Sequence, residues 1–118
     1  MKQLIVIAFV LAASVMTGAQ QVYQPGDDVT LPTVVKSVKP QYTQEAMAQR
    51  IEGTTLLECV VRVDGTVESV RVVESLDATY GLDEQAVNAL SQWQFRPGVH
   101  DGKPVAVRVK VQMSFTLK

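Results

Sequence analysis

The 118-residue sequence predicts an α+β domain in which two helices pack on one face of an antiparallel β-sheet. Two patterns support this fold class. Residues 105–117 alternate apolar and polar side chains, which is typical of a strand with one buried and one solvated face. The main apolar residues of 82–93 recur at the spacings of one helix stripe. The predicted order after residue 32 is strand, helix, strand, strand, helix, strand.

The first nineteen residues (1–19) are expected to direct export and not to join the fold. Lys2 gives a positive start, residues 4–15 form an apolar run, and Thr17-Gly18-Ala19 supplies the small residues that signal peptidase recognises. Cleavage there makes Gln20 the first residue. A membrane anchor is the alternative, because the apolar stretch approaches the roughly 17 residues that a spanning helix needs.

Residues 20–32 are predicted to form a short tether between this segment and the domain. They are polar and carry the turn-forming sequence Pro25-Gly26-Asp27-Asp28, followed by Pro32. The folded domain is therefore expected to comprise residues 33–118.

The domain is predicted to begin with a strand and a short helix. Residues 34–38 form an extended run that Pro40 closes. Thr43 is placed to cap a helix over residues 44–50, which Gly53 ends. The residues predicted to face inward are Ala46, Met47 and Ile51.

A hairpin is predicted at Asp64-Gly65, because this dipeptide between alternating apolar runs is a strong hairpin signal. The strands over 54–63 and 67–74 are therefore expected to be antiparallel. The first of them is predicted to bury Thr55, Leu57, Cys59, Val61 and Val63 and to expose Thr54, Glu58 and Arg62.

The second helix and the last strand complete the predicted fold. Asp83 and Glu84 lie in the first turn of the helix, where negative charge favours the positive end of the helix dipole, and Phe95-Arg96-Pro97 ends it. The helix is predicted to bury Leu82, Ala86, Ala89, Leu90 and Trp93. The strand is predicted to bury Val105, Val107, Val109, Val111, Met113, Phe115 and Leu117 and to expose Ala106, Arg108, Lys110, Gln112, Ser114, Thr116 and Lys118.

Composition and motifs argue against chemical functions. A formal net charge of -1 gives no strong attraction to nucleic acid or anionic lipid. The single histidine, His100, is interpreted as a surface residue of a turn, and it shares no zinc-type spacing with Cys59. No nucleophile, base and orienting group can be assembled, and no glycine-rich phosphate loop occurs. We therefore expect neither an enzyme nor a protein that binds a metal or a cofactor.

Cys59 has two interpretations in an oxidising compartment. Its place between Leu57 and Val61 on the apolar face favours a buried, unreactive thiol. An intermolecular disulfide is the alternative, since no second cysteine exists within the chain.

Several short motifs follow one another in a fixed order. They are Pro40-Gln41-Tyr42, Ala46, Arg50-Ile51-Glu52-Gly53, Asp64-Gly65-Thr66, Leu82-Asp83 with Ala86, Trp93-Gln94-Phe95-Arg96-Pro97 and Asp101-Gly102-Lys103-Pro104. This order resembles the C-terminal domain of TonB, the periplasmic energy transducer of Gram-negative bacteria, from about Thr33 to Lys118, here without the family's proline-rich spacer. The resemblance implies a periplasmic protein-binding domain, or one anchored in the inner membrane if residues 1–19 are retained. Membrane contact is then expected only through that segment.

The resemblance also implies a binding mode. In the family the last strand pairs with an extended peptide of an outer-membrane transporter, the TonB box, so such a transporter or another envelope protein is the expected partner. The corresponding partner-binding residues are Val105, Ala106, Val107, Arg108, Val109, Lys110, Val111, Gln112 and Met113. Two alternatives stay open: the same edge forms a homodimer, or its charges only discourage aggregation.

Overall fold

The computed structural model describes residues 21–117, and these residues form the predicted α+β fold. The elements in chain order are β1 (Val22–Tyr23), β2 (Thr33–Lys36), α1 (Gln44–Ala48), β3 (Gly53–Val61), β4 (Val67–Glu74), α2 (Leu82–Leu90), β5 (Gln94–Arg96), β6 (Gly98–His100) and β7 (Lys103–Phe115). The predicted export segment 1–19, Gln20 and Lys118 lie outside the described residues. Neither helix within residues 21–117 is long and apolar enough to cross a membrane.

Strand β3 is the centre of the main sheet. It pairs antiparallel with β4 through the predicted hairpin, and antiparallel with β7 on its other side. The first residues of β7 also pair with β6, and the next two pair with the parallel strand β1. Strands β2 and β5 form a separate two-stranded sheet. The three short strands β1, β5 and β6 were not predicted, because runs of two or three residues carry no detectable periodicity.

Helix α1 is shorter than predicted and ends in a different way. Thr43 does cap it, since its Oγ1 accepts from the Ala46 N–H at 3.1 Å. The chain leaves the helix at Arg50, which adopts a left-handed conformation with φ 55°, and the N–H groups of Arg50 and Ile51 close back on the last turn. Gly53 therefore begins β3 and does not end the helix.

The core lies between the helices and one face of the sheet. The predicted stripe of α2 is confirmed, because Leu82, Ala86, Ala89 and Leu90 are all buried. Trp93 follows the end of the helix and is only partly buried, with its indole N–H donating to the Val38 carbonyl at 2.9 Å. The prediction that Met47 and Val63 face inward is wrong, since each is 42% exposed. Met47 lies within α1, where Ala46 is the buried residue, and Val63 lies beyond the end of β3.

The outer face of the sheet is less solvated than predicted. Ala106, expected to face solvent, is only 3% exposed, and its neighbours Val60 and Glu58 are buried as well. The cover comes from residues 21–30, which pair with β7 and β6 and pass beside Glu58 at Gln24. The segment predicted as a tether thus packs against the domain from residue 21 onward.

Candidate functional site at the edge of the last strand

All nine residues of the predicted binding site lie in β7, but they do not share one environment. The first three already pair within the chain: Val105 with Gly98, and Ala106 and Val107 with β1. Val107 pairs with Val61 of β3 as well, so β1 must lie on the side of β7 that faces away from β3. Beyond Val107, no residue among 21–117 pairs with β7 on that side. We call this side of residues 108–115 the open edge.

The hydrogen-bond pattern of the hairpin predicts which backbone groups face the open edge. The Arg62 N–H donates to the Thr66 carbonyl at 2.8 Å, so the polar groups of Arg62 point towards β4. Neighbouring residues of a strand point their groups in opposite directions, which turns Val61 towards β7. Because β3 and β7 pair without a register shift from Val61 to Gly53, the alternation continues along β7. We therefore expect the open edge to display the C=O group of Arg108 and the N–H and C=O groups of Lys110, Gln112 and Ser114. The Arg108 N–H is expected to bond to Tyr23, because a residue of a parallel strand bonds to the two neighbours of its partner.

The opposite edge of the sheet, formed by β4, is irregular. Its register against β3 shifts twice, and at each shift β4 contains one more residue than β3. At the first shift Ser69 adopts a left-handed conformation with φ 56°. Bulges of this kind twist an edge and interrupt its row of hydrogen-bonding groups. The open edge of β7 is therefore the more regular of the two.

Charged side chains flank the open edge on the outer face. The buried carboxylate of Glu58 lies 2.7 Å from the Arg71 guanidinium and 3.8 Å from that of Arg108. Lys110, directly opposite Glu58 in the register, is exposed and forms no ion pair with any of residues 21–117. One carboxylate thus stands among three cations, and the local charge is positive.

A groove of about 430 Å³ lies beside these charges. It is lined by Gln24, Pro25, Glu58, Arg108, Val109 and Lys110. Gln24 and Pro25 belong to a turn in which the Asp27 N–H donates to the Gln24 carbonyl at 3.0 Å. The groove therefore borders the point where β1 ends and the open edge begins.

The structure also brings together Asp28, His100 and Asp101, whose potential metal-ligating atoms lie within 4.8 Å of one another. Sequence spacing could not predict this cluster, because Asp28 is far from His100 along the chain. His100 Nδ1 hydrogen-bonds to the Asp28 carbonyl at 2.7 Å, and Nε2 lies 3.3 Å from the Asp101 carboxylate. The bond to the carbonyl and the nearby carboxylates raise the pKa of His100. This arrangement favours a protonated histidine, whereas a metal ligand must be neutral.

Two further groups bear on the earlier hypotheses. Cys59 is fully buried, as predicted, and burial together with the charge of Glu58 raises its pKa to about 11. Asp83, expected only to favour the helix dipole, is instead a buried hydrogen-bond acceptor for Thr55, Ser75 and the N–H groups of Leu76 and Asp77. Nothing in its spacing indicated that role, since the donors come from β3 and from the loop after β4.

Residues 38–117 match the family described as the Gram-negative bacterial TonB protein C-terminal. The chain belongs to this family. It is 34% identical over 91 residues to protein TonB of Vibrio cholerae and 28% identical over 85 residues to protein TonB of Escherichia coli K12. These matches cover 76% and 72% of this chain but only 37% and 35% of the relatives, so the chain spans about a third of their length.

The fold comparison agrees with the sequence comparison. The solution NMR structure of the Pseudomonas aeruginosa TonB C-terminal domain superimposes with a TM-score of 0.61 at 26% identity, covering 80% of this chain and 93% of that chain. The predicted family and the α+β fold are therefore confirmed. TonB-family energy transducers are Gram-negative envelope proteins and are not known as enzymes.

Proposed function

We propose that this TonB-like domain binds envelope proteins in the periplasm by accepting a peptide strand at the open edge of β7. The observation that carries the proposal is the regular, unpaired side of β7 from residue 108 to the end of the strand. An added strand satisfies this row of N–H and C=O groups, and the backbone ladder supplies affinity for many sequences. The expected partner is the TonB box of an outer-membrane transporter, so the domain takes part in energy-dependent transport.

Side chains at the edge would set the preference among peptides. Arg108 and Lys110 point to the outer face beside the groove, where a bound strand would place every second side chain. Because the local charge is positive, a peptide with an acidic side chain near this point should bind better than one with a lysine there.

A homodimer through the same edge is disfavoured by the same charges. In a symmetric antiparallel pairing centred near Lys110, the exposed ammonium groups of the two copies would face each other across the new ladder. Like charges directly opposite one another destabilise such a pairing. A partner of different sequence does not meet this repulsion.

A pair of proline variants tests the proposal. Lys110→Pro removes an N–H that is expected to face the open edge, so the variant should stay folded and lose binding of a synthetic transporter TonB-box peptide. Val111→Pro removes an N–H that is expected to bond to β3, so it should lower the thermal midpoint strongly. Lys110→Ala keeps the backbone donor and should keep most of the binding. Circular dichroism and isothermal titration calorimetry measure the two properties.

The outcome can contradict the proposal in a definite way. If Lys110→Pro is folded and binds the peptide as the wild type does, strand addition at this edge is wrong. If Lys110→Pro unfolds and Val111→Pro does not, the alternation is reversed, and the binding test passes to Val111→Pro with Val111→Ala as its control.

A further inference from the structure

We infer that residues 21–30 form a strap that occupies the start of the docking edge and competes with the partner peptide for it. The inference rests on the proposed function for its consequence but on separate contacts for its geometry. Strand β1 pairs with Ala106 and Val107 on the side of β7 that faces away from β3, the same side as the open edge. Two of the nine predicted binding residues, Ala106 and Val107, are thereby already paired on the docking side while the strap is in place.

The strap is attached at points beyond β1. After the turn at Gln24, Thr30 exchanges two backbone hydrogen bonds with Val99 of β6, at 2.8 and 3.1 Å. The packing there is close: a Cβ on Gly98 would lie 2.8 Å from the Thr30 carbonyl oxygen and 2.5 Å from Val107 Cγ2. The strap therefore has a defined seat and does not lie at random on the surface.

His100 connects the two ends of the strap. Its ring stacks against Tyr23 of β1 with centroids 5.0 Å apart, and its Nδ1 bonds to the carbonyl of Asp28 after the turn. One side chain of β6 thus contacts both legs of the strap. Loss of either contact weakens the position of both legs.

The attachment is nevertheless weak compared with the ladder beneath it. Strand β1 contributes only two paired residues, both of them partly exposed, whereas β3 pairs with β7 over nine consecutive residues. Ordering each strap residue costs backbone conformational entropy, which opposes attachment. Segments with few buried contacts and exposed hydrogen bonds open at the low end of the local stability range. A peptide that pairs with residues 106–113 can therefore displace the strap without unfolding the domain.

A reversible cross-link tests the competition in the full chain. Val22→Cys with Ala106→Cys places two cysteines at directly paired positions, where a disulfide can form. The oxidised protein holds the strap closed, and the same protein after reduction is its matched control. Native Cys59 remains, because it is fully buried and its raised pKa withholds it from exchange. Mass spectrometry after trypsin digestion verifies the single intended bridge.

We expect the oxidised protein to bind the TonB-box peptide about tenfold more weakly than the reduced protein. A tenfold loss corresponds to a binding-competent, strap-open fraction about ten times smaller. Tyr23→Ala, which removes the stacking on His100, should bind the peptide more tightly than the wild type. Equal affinity in the oxidised and reduced states would contradict the proposed competition between the strap and the peptide.

A second probe separates this inference from the proposed function. A synthetic peptide of residues 20–32 should bind the Tyr23→Ala variant in trans, with NMR shifts at residues 106–108, and should not bind the oxidised protein. If the TonB-box peptide binds neither state, the proposed function fails, and the strap is judged by this second peptide. If the second peptide shifts residues 106–108 in both proteins alike or in neither, the strap is wrong.

Discussion

The two edges of the main sheet, β4 and β7, differ in how regular their exposed backbone is. Strand β4 contains an extra residue at each of two register shifts, and Ser69 bends it through a left-handed conformation. Strand β7 pairs with β3 over nine residues without a shift, and within residues 21–117 a two-residue strand covers part of its other side. Under the proposed function, the edge that does not bind is irregular in its own backbone, whereas the docking edge stays regular beneath the strap.

The two edges are also held by different kinds of contact, buried at β4 and exposed at β7. The end of β4 is held by Asp83, a buried carboxylate that accepts hydrogen bonds from β3 and from the loop after β4. The strap on β7 is held at the surface by Thr30, Tyr23 and His100. Perturbing the first should affect the whole domain, and perturbing the second should affect only the edge.

The largest effect is expected for Asp83→Ala. It leaves the Thr55 hydroxyl and the N–H groups of Leu76 and Asp77 without their acceptor in a buried site, which costs about 1 to 3 kcal/mol for each group left unsatisfied. We expect the free energy of unfolding in urea to fall by about 3 kcal/mol or more. Asp83→Asn keeps an acceptor oxygen and is the milder control. An unchanged urea midpoint in Asp83→Ala would mean that the end of β4 needs no such support.

The carboxylate of Asp83 is also expected to make the stability of the domain depend on pH in the acid range. Burial alone would raise the pKa of Asp83, but the hydrogen bonds from Ser75, Asp77, Leu76 and Thr55 together lower it. Its contribution to stability is therefore fully present above the ordinary pKa of about 3.9 and is lost as the pH falls through the lowered value. Asp83→Asn should show a shallower loss of stability as the pH falls below about 4, measured by urea unfolding at each pH.

An intermediate effect is expected when the first bulge of β4 is removed. Deleting Ser69 takes out the one extra residue between Glu68 and Arg71, so that the ladder against β3 becomes continuous there. The backbone strain at φ 56° disappears with it. We expect a folded protein that self-associates at high concentration in size-exclusion chromatography, where the wild type elutes later. Identical elution of the two proteins would show that this bulge does not protect the edge.

The smallest effect is expected from pH at the strap. His100 faces Asp28, Asp101 and Asp27, stacks on Tyr23 and is paired with Lys103 in the register of β6 and β7. Its raised pKa means that its contribution is fully present below the ordinary value of about 6.5 and is lost as the pH rises through the folded-state value. Amide exchange at residues 106–108, corrected for intrinsic rates, should therefore increase modestly across this range. His100→Gln should remove the dependence, and a persisting dependence would exclude His100 as its cause.

Much of the fold follows from local patterns in the sequence. The stripe of α2, the Asp64-Gly65 hairpin and the alternation of β7 are each contained in a short window, and the structure confirms them with the exception of buried Ala106 in β7. Gly53 was misassigned because Arg50 takes the left-handed position that a glycine usually occupies after a helix.

The candidate site was less predictable than the fold. The alternation located all nine residues on one strand, but it could not show that three of them are already paired. Strand β1 is too short for a period, and it lies in a turn-rich segment that the pattern assigned to a tether. The burial of Ala106 is equally non-local, since it depends on residues more than eighty positions earlier in the chain.

Cys59 gives the molecule an internal reporter of its own unfolding. Its sulfur is fully buried in β3, the strand shared by both edges, and with a pKa of about 11 only about one thiol in ten thousand is ionised at pH 7. A thiol-specific reagent is therefore expected to react with Cys59 only after the sheet opens. Release of the strap leaves β3 in place, so this labelling should stay silent during peptide exchange and should count only the events that expose the core.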